Sequence, residues 1–158
     1  MNVVLYRRDG ATIPKRGSEE AAGYDLTADI QTDYHLYPLQ VAKIPTGIFI
    51  AQEPGGVCLA CCRSGLAAKG VHIVNAPGII DSDYRGELFT LLTYIALPGS
   101  QPFVIKPGDR IAQLLFLRPG VVNIGEGAEG VNFVEATAAE FAELTTGRGQ
   151  GGFGSTGR

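Results

Sequence analysis

At 158 residues, with 45% hydrophobic and 18% charged side chains, the chain is long enough for one domain with a sizeable core. Its formal net charge of -3 excludes a global basic field for a nucleic acid polymer, so a polyanion would have to meet local donors and a cation. No window offers the ~18 consecutive apolar residues of a membrane span. The opening MNVVLYRRDG places basic residues after apolar ones, the reverse of a secretory signal, so an intracellular, cytoplasmic protein is expected.

With 22 Gly and 9 Pro, turn signals recur about every 8 to 12 residues, the rhythm of an all-β sandwich or barrel. Strands are predicted over residues 3–6, 25–28, 34–39, 47–51, 57–61, 71–74, 88–95, 103–105, 110–117 and 131–134. Many short strands with little chain for long crossovers imply an antiparallel barrel or jelly roll. Helical signal is scarce. SGLAAK at 64–69 could form one or two turns with Ser64 as cap, and TAAE at 137–140 looks like a capping box. A boundary is expected near Thr145, with a barrel over 1–145 and a flexible arm over 146–158.

In chain order, the first segment with chemical content is AAGYDL at 21–26, where Asp25 could turn toward a polar pocket. Next come Cys58, Cys61 and Cys62. Three thiols within five positions make a poor disulfide framework, and no second cluster completes a metal site, so they read as small apolar residues on a buried strand. CRSGLAAK at 62–69 follows. Free N–H groups at a helix start favour an anion, and Arg63 and the Ser64 hydroxyl would add to them.

NAPGIIDSDYRGE at 75–87 reads as a hairpin. Asp81 and Asp83 would share a face on an extended chain, unless a turn separates them. Either carboxylate could take a proton from water. Tyr84 offers a flat ring for a sugar. PGDRIAQL at 107–114 places an amide, Gln113, among apolar neighbours, where it needs partners if buried.

The tail RGQGGFGSTGR at 148–158 holds five Gly, so it has no core of its own. It also carries Arg148, which can fork onto a phosphate, and Phe153, which can lie on a base. Ser155, Thr156 and bare N–H groups can surround phosphate oxygens. The segment reads as an arm that orders over a ligand both aromatic and polyanionic, as a nucleoside triphosphate is.

AGYDL, RSGLA, GIIDSDYRGE, GDRIAQL and RGQGGFGSTG together resemble, in order and approximate spacing, the five motifs of the trimeric deoxyuridine triphosphatases. The resemblance runs from about Tyr6 to Gly157. It implies a distorted jelly-roll β-barrel, a homotrimer with active sites at subunit interfaces, and hydrolysis of dUTP to dUMP and pyrophosphate. By the same resemblance Asp81 activates water, and Tyr84 packs on the deoxyribose. The hairpin with Asn75, Gly78 and Ile80 reads uracil through main-chain groups. Arg63, Ser64, Gly65 and Gln113 are similar to phosphate contacts. Arg148, Phe153, Gly154, Ser155 and Thr156 resemble the closing arm. Asp25 resembles a supporting residue acting through the water shell of Mg2+, which the triphosphate carries with no direct protein ligand. One departure stands out: Cys62 occupies a position that is often Pro in the family. Two rivals are a dCTP deaminase on the same scaffold and a non-catalytic binding module. The first would place a Glu in the strand after the hairpin, where LFTLLTY has none. The second is disfavoured by Asp81 occurring together with the full arm.

Overall fold

The computed structural model describes residues 2–117 and 131–151. Its strands up to the hairpin are β1 (Asn2–Arg7), β2 (Lys15–Arg16), β3 (Tyr24–Thr27), β4 (Tyr34–Leu36), β5 (Val41–Ile44), β6 (Ile48–Gln52) and β7 (Val57–Cys61). A one-turn helix α1 (Ser64–Ala67) follows, then β8 (Val71–Ile73), β9 (Gly78–Asp81), β10 (Thr90–Tyr94), β11 (Phe103–Ile105), β12 (Arg110–Leu117) and β13 (Asn132–Glu135). The last element is α2 (Ala138–Ala142).

The fold is all-β and jelly-roll-like. Its largest sheet has the order β2-β3-β12-β7-β9. Smaller sheets are β13-β1-β6, β5-β10-β8 and β11-β4. Neighbours pair antiparallel throughout, save β13, which runs parallel to β1. The alternation of side chains in extended chain sorts one face inward. Tyr24 and Leu26 are buried while Asp25 between them is not; β5 alternates likewise. Leu5, Leu26, Ile44, Ile48, Ile50, Leu92, Ile111 and Leu114 fill the space between the sheets.

Several sequence expectations need correction. The run expected over 34–39 stops at Leu36, and β5 forms after a turn in which Leu39 adopts φ 63°. β10 begins at Thr90 rather than 88, because Glu87 bridges back to Phe49 instead. Ser64 is not the cap of α1. It is the first helical residue, Arg63 holds the cap position, and no side chain caps the turn. The capping box at Thr137 does form: its side chain accepts from the Glu140 amide, and Glu140 reaches back to the Thr137 N–H at 2.8 Å.

Helix α2 matters because it launches the C-terminal segment. Its Phe141 is buried, with ring centroids 6.1 Å from Tyr6 and 6.3 Å from Phe49. Burying such a ring contributes roughly 1.5–3 kcal/mol. The chain after α2 therefore starts from a fixed point on β1 and β6. Among the described residues, no helix is long and apolar enough to cross a membrane.

Candidate active site

Two polar groups occupy opposite ends of β7. The first is built on strand register. Gln113 on β12 lies opposite both Asp25 on β3 and Cys61 on β7, so all three project from the outer face of the large sheet. Arg63, just past β7, donates from Nε to Asp25 Oδ1 at 2.7 Å. Arg110 donates from Nη1 to the other oxygen at 3.0 Å. Asp25 thereby holds two guanidinium groups on the outer face of the sheet. Charge-assisted bonds of this kind are about twice as strong as neutral ones. Gln113 Nε2 donates to the Cys62 carbonyl at 2.9 Å, the partner its half-buried amide required. Gly23 makes that possible, since a Cβ there would stand 2.7 Å from Gln113 Oε1. Ser64 and Gly65 lie exposed at the start of α1, beside Arg63.

The second group surrounds the 81–85 turn. Asp81 ends β9 opposite Val57, and Asp83 falls in the turn beyond, so the two carboxylates do not share a strand face. Both nevertheless face Arg148. Its Nη1 pairs with Asp81 Oδ2 and lies 3.7 Å from Asp83 Oδ1. The Arg148 guanidinium also stands 5.7 Å from the centre of the Tyr84 ring. Burial pushes the Tyr84 phenol above its ordinary value, and the phenol donates to the Glu87 carbonyl at 2.9 Å. Gly86 leaves room for it, because a Cβ there would meet the Tyr84 oxygen at 2.3 Å.

A cleft of about 190 Å³ opens beside this turn, on the core-side face of the sheet. Ile73, Asn75, Gly78, Ile80, Tyr84 and Phe89 line it, with Arg148 at its mouth. The Ile80 carbonyl in its wall is held by Gln52 Nε2 at 3.1 Å.

The first residues of the expected arm lie against the 81–85 turn. Thr146 Oγ1 donates to the Asp83 carbonyl, and the Arg85 N–H donates to the Gly149 carbonyl at 2.7 Å. Arg148 Nε donates to the Gly151 carbonyl at 3.0 Å. Phe153, Gly154, Ser155 and Thr156 lie outside the described residues.

Three supporting residues escaped the sequence reading. Arg110 shares Asp25 with Arg63. Arg85 spans the Ser82, Tyr84 and Leu144 carbonyls, bracing the turn against the chain that leaves α2. Glu87 is buried and accepts from the Thr46 and Gly47 N–H groups and from Arg8. The signal available for all three was a charged residue inside an otherwise turn-like or apolar run.

Strand geometry separates the two groups. Four residues at ~3.3 Å and two strand spacings of ~4.8 Å put Asp81 and Gln113 roughly 16 Å apart between Cα atoms. The outer face between them carries exposed Ile79.

A family model for dUTPase matches residues 9–157. A deoxyuridine 5'-triphosphate nucleotidohydrolase of Desulfitobacterium hafniense (strain DSM 10664 / DCB-2) is 43% identical, covering 99% of this chain and 95% of its own length. One from Wolbachia pipientis wMel is 42% identical, covering 98% and 92%. Among solved structures, a dUTPase from Streptococcus mutans matches 72% of this chain and 94% of its own, with 26% identity and a TM-score of 0.63. A dUTPase from phage phi11 of S. aureus, whose structure describes a structural Mg(II) ion, shares the fold at a TM-score of 0.65 and 24% identity. That match covers 81% of this chain and 97% of the phage protein. With a family match over nearly its whole length, the chain belongs to the dUTPase family.

Proposed function

We propose that this chain hydrolyses dUTP to dUMP and pyrophosphate, with Asp81 as the general base. The observation that carries the reading is that Arg148, at the mouth of a cleft lined by Asn75, Gly78, Ile80 and Tyr84, pairs with Asp81 and stands over the Tyr84 ring. A flat pyrimidine fits between Ile73, Ile80 and Phe89, where main-chain groups of 75–80 can read its edge. The Tyr84 ring, fixed through its hydroxyl, lies against the deoxyribose and leaves no room for a 2′-hydroxyl. Asp81 then takes a proton from the water that attacks the α-phosphorus in line, and the bond to the bridging oxygen of pyrophosphate breaks. For this Arg148 must leave Asp81 for the phosphates, which offer it more negative charge. Phe153, Gly154, Ser155 and Thr156 close over the base and terminal phosphates.

Arg63, Ser64, Gly65 and Gln113 bind phosphate oxygens, with Asp25 orienting Arg63. Among the described residues no three His, Cys, Asp or Glu side chains converge as a cation cage. In this reading Mg2+ arrives on the triphosphate, with Asp25 near its water shell. When bound, Mg2+ offsets phosphate charge.

Both groups must act on one triphosphate, yet a single chain holds them roughly 16 Å apart along the sheet. A homotrimer resolves this: each active site lies at a subunit interface and combines the Arg63 group of one copy with the Asp81 group of another. A deaminase reading is disfavoured by Glu87, whose carboxylate is committed to Thr46, Gly47 and Arg8. The test is pyrophosphate release from dUTP, dCTP, UTP and dTTP in parallel. Release from dUTP with the others poor supports the reading, and ammonia from dCTP would replace it with the deaminase.

A further inference from the structure

We infer that Cys62 is a positioning residue for phosphate binding, acting through its sulfur as a hydrogen-bond acceptor. The inference rests on the proposed phosphate role of Arg63 and Gln113. Three thiols crowd β7 and its end, and they differ in setting. Cys58 is fully buried in the core, where burial pushes its thiol up. Cys62 is half-buried and sits where β7 gives way to the Arg63 turn.

Cys62 makes two bonds in two directions. Its carbonyl accepts from Gln113 Nε2 at 2.9 Å. Its Sγ accepts from the Ile73 N–H at 3.2 Å. Ile73 belongs to β8, the edge strand of the β5-β10-β8 sheet. The neighbouring Val74 N–H points inward to the Leu91 carbonyl, so the Ile73 N–H points outward, where no strand among the described residues receives it. A half-covered, unpaired N–H at an edge is costly. The Cys62 sulfur receives it and so ties the end of the large sheet to the edge of the small one.

Arg63 begins one peptide bond beyond this tie, and α1 has no side-chain cap to fix its start. The sulfur bond adds a tie to β8 to those the turn already has through Asp25 and Gln113. The carbonyl of the same residue accepts from Gln113, and Arg63 is the next residue, so the sulfur bond holds Arg63 and Gln113 in mutual register.

The test compares Cys62→Ala with Cys62→Ser in the full-length protein. Loss of one such bond corresponds to about a fivefold effect. Cys62→Ala is expected to raise KM for dUTP about fivefold with kcat within about twofold, while Cys62→Ser, which keeps an acceptor, stays within about twofold of wild type in both. A wild-type KM in Cys62→Ala, or equal losses in both variants, would overturn the inference. Amide exchange gives a readout that needs neither activity nor a folded variant. In the wild-type protein the Ile73 N–H should exchange slowly despite facing a sheet edge; fast exchange there removes the bond on which the inference stands. Should wild type fail to release pyrophosphate from dUTP, the functional reading fails separately, and Ile73 exchange still decides whether the sulfur accepts.

Discussion

The Asp25–Arg63–Gln113 group and the Asp81–Tyr84–Arg148 group are built by opposite means. In the first, Asp25 and Gln113 are strand residues placed by pairing across β3, β12 and β7. Gly23 then lets Gln113 close in. In the second, only Asp81 belongs to a strand, and it is the last residue of an edge strand. The rest hangs on side-chain bonds to main chain: Arg85 to three carbonyls, Thr146 to Asp83, Tyr84 to Glu87. Strand ladders open together at high cost, whereas turns held by single side-chain bonds open locally at low cost. The comparison teaches a division of labour. Under the proposed function, the ladder would hold the phosphate donors fixed, and the turn and arm would cover and uncover the base.

The largest effect should come from the turn. Asp81→Asn keeps shape but cannot accept the proton, so turnover should fall roughly 10²–10⁴-fold with near-normal binding of a non-hydrolysable dUTP analogue. Retention of more than about half the rate would move the role to Asp83, which also faces Arg148.

Removing residues 147–158 should come next. Phe141 still anchors α2 without them, so the melting temperature should stay close to wild type. Loss of the Arg148 contacts to phosphate should cost about 10–100-fold in turnover. A large drop in melting temperature would show that the arm belongs to the body, and the contrast between the two groups would blur.

A smaller change should follow Tyr84→Ala. Discrimination against UTP should relax more than discrimination against dTTP if, as proposed, the ring guards the sugar and the hairpin backbone guards the base. Parallel kcat/KM measurements on dUTP, UTP and dTTP check this. Unchanged rejection of UTP would remove Tyr84 from that role.

The two groups also differ in how far the sequence revealed them. β7, β11 and β12 appear with the predicted bounds, because apolar runs between Pro-Gly turns leave little freedom. β2 was missed, since two exposed basic residues, Lys15 and Arg16, carry no apolar pattern. β5 does alternate, but a left-handed Leu39, unreadable from residue type, separates it from β4. The motif residues were visible as a set. Their grouping was not: Arg110 meets Asp25 across 85 residues, and only the register of β3 on β12 brings them together. The turn group was more legible, because Asp81, Asp83 and Tyr84 are near neighbours in sequence. Even so, the docking of Arg148 on Asp81 depends on where α2 ends, and that depends on Phe141 packing.

The most direct test of the account is complementation between its two halves. Arg63→Ala and Asp81→Asn, each full length and each inactive or nearly so, are mixed under subunit-exchange conditions, and mass spectrometry establishes that mixed trimers form. If each active site takes Arg63 from one copy and Asp81 from the next, random assortment in a closed ring leaves about one site in four with both intact. The account predicts recovery to about a quarter of wild-type pyrophosphate release. Activity no greater than the sum of the two parents, with mixed trimers present, would mean that each chain completes its own site and would contradict the division proposed here.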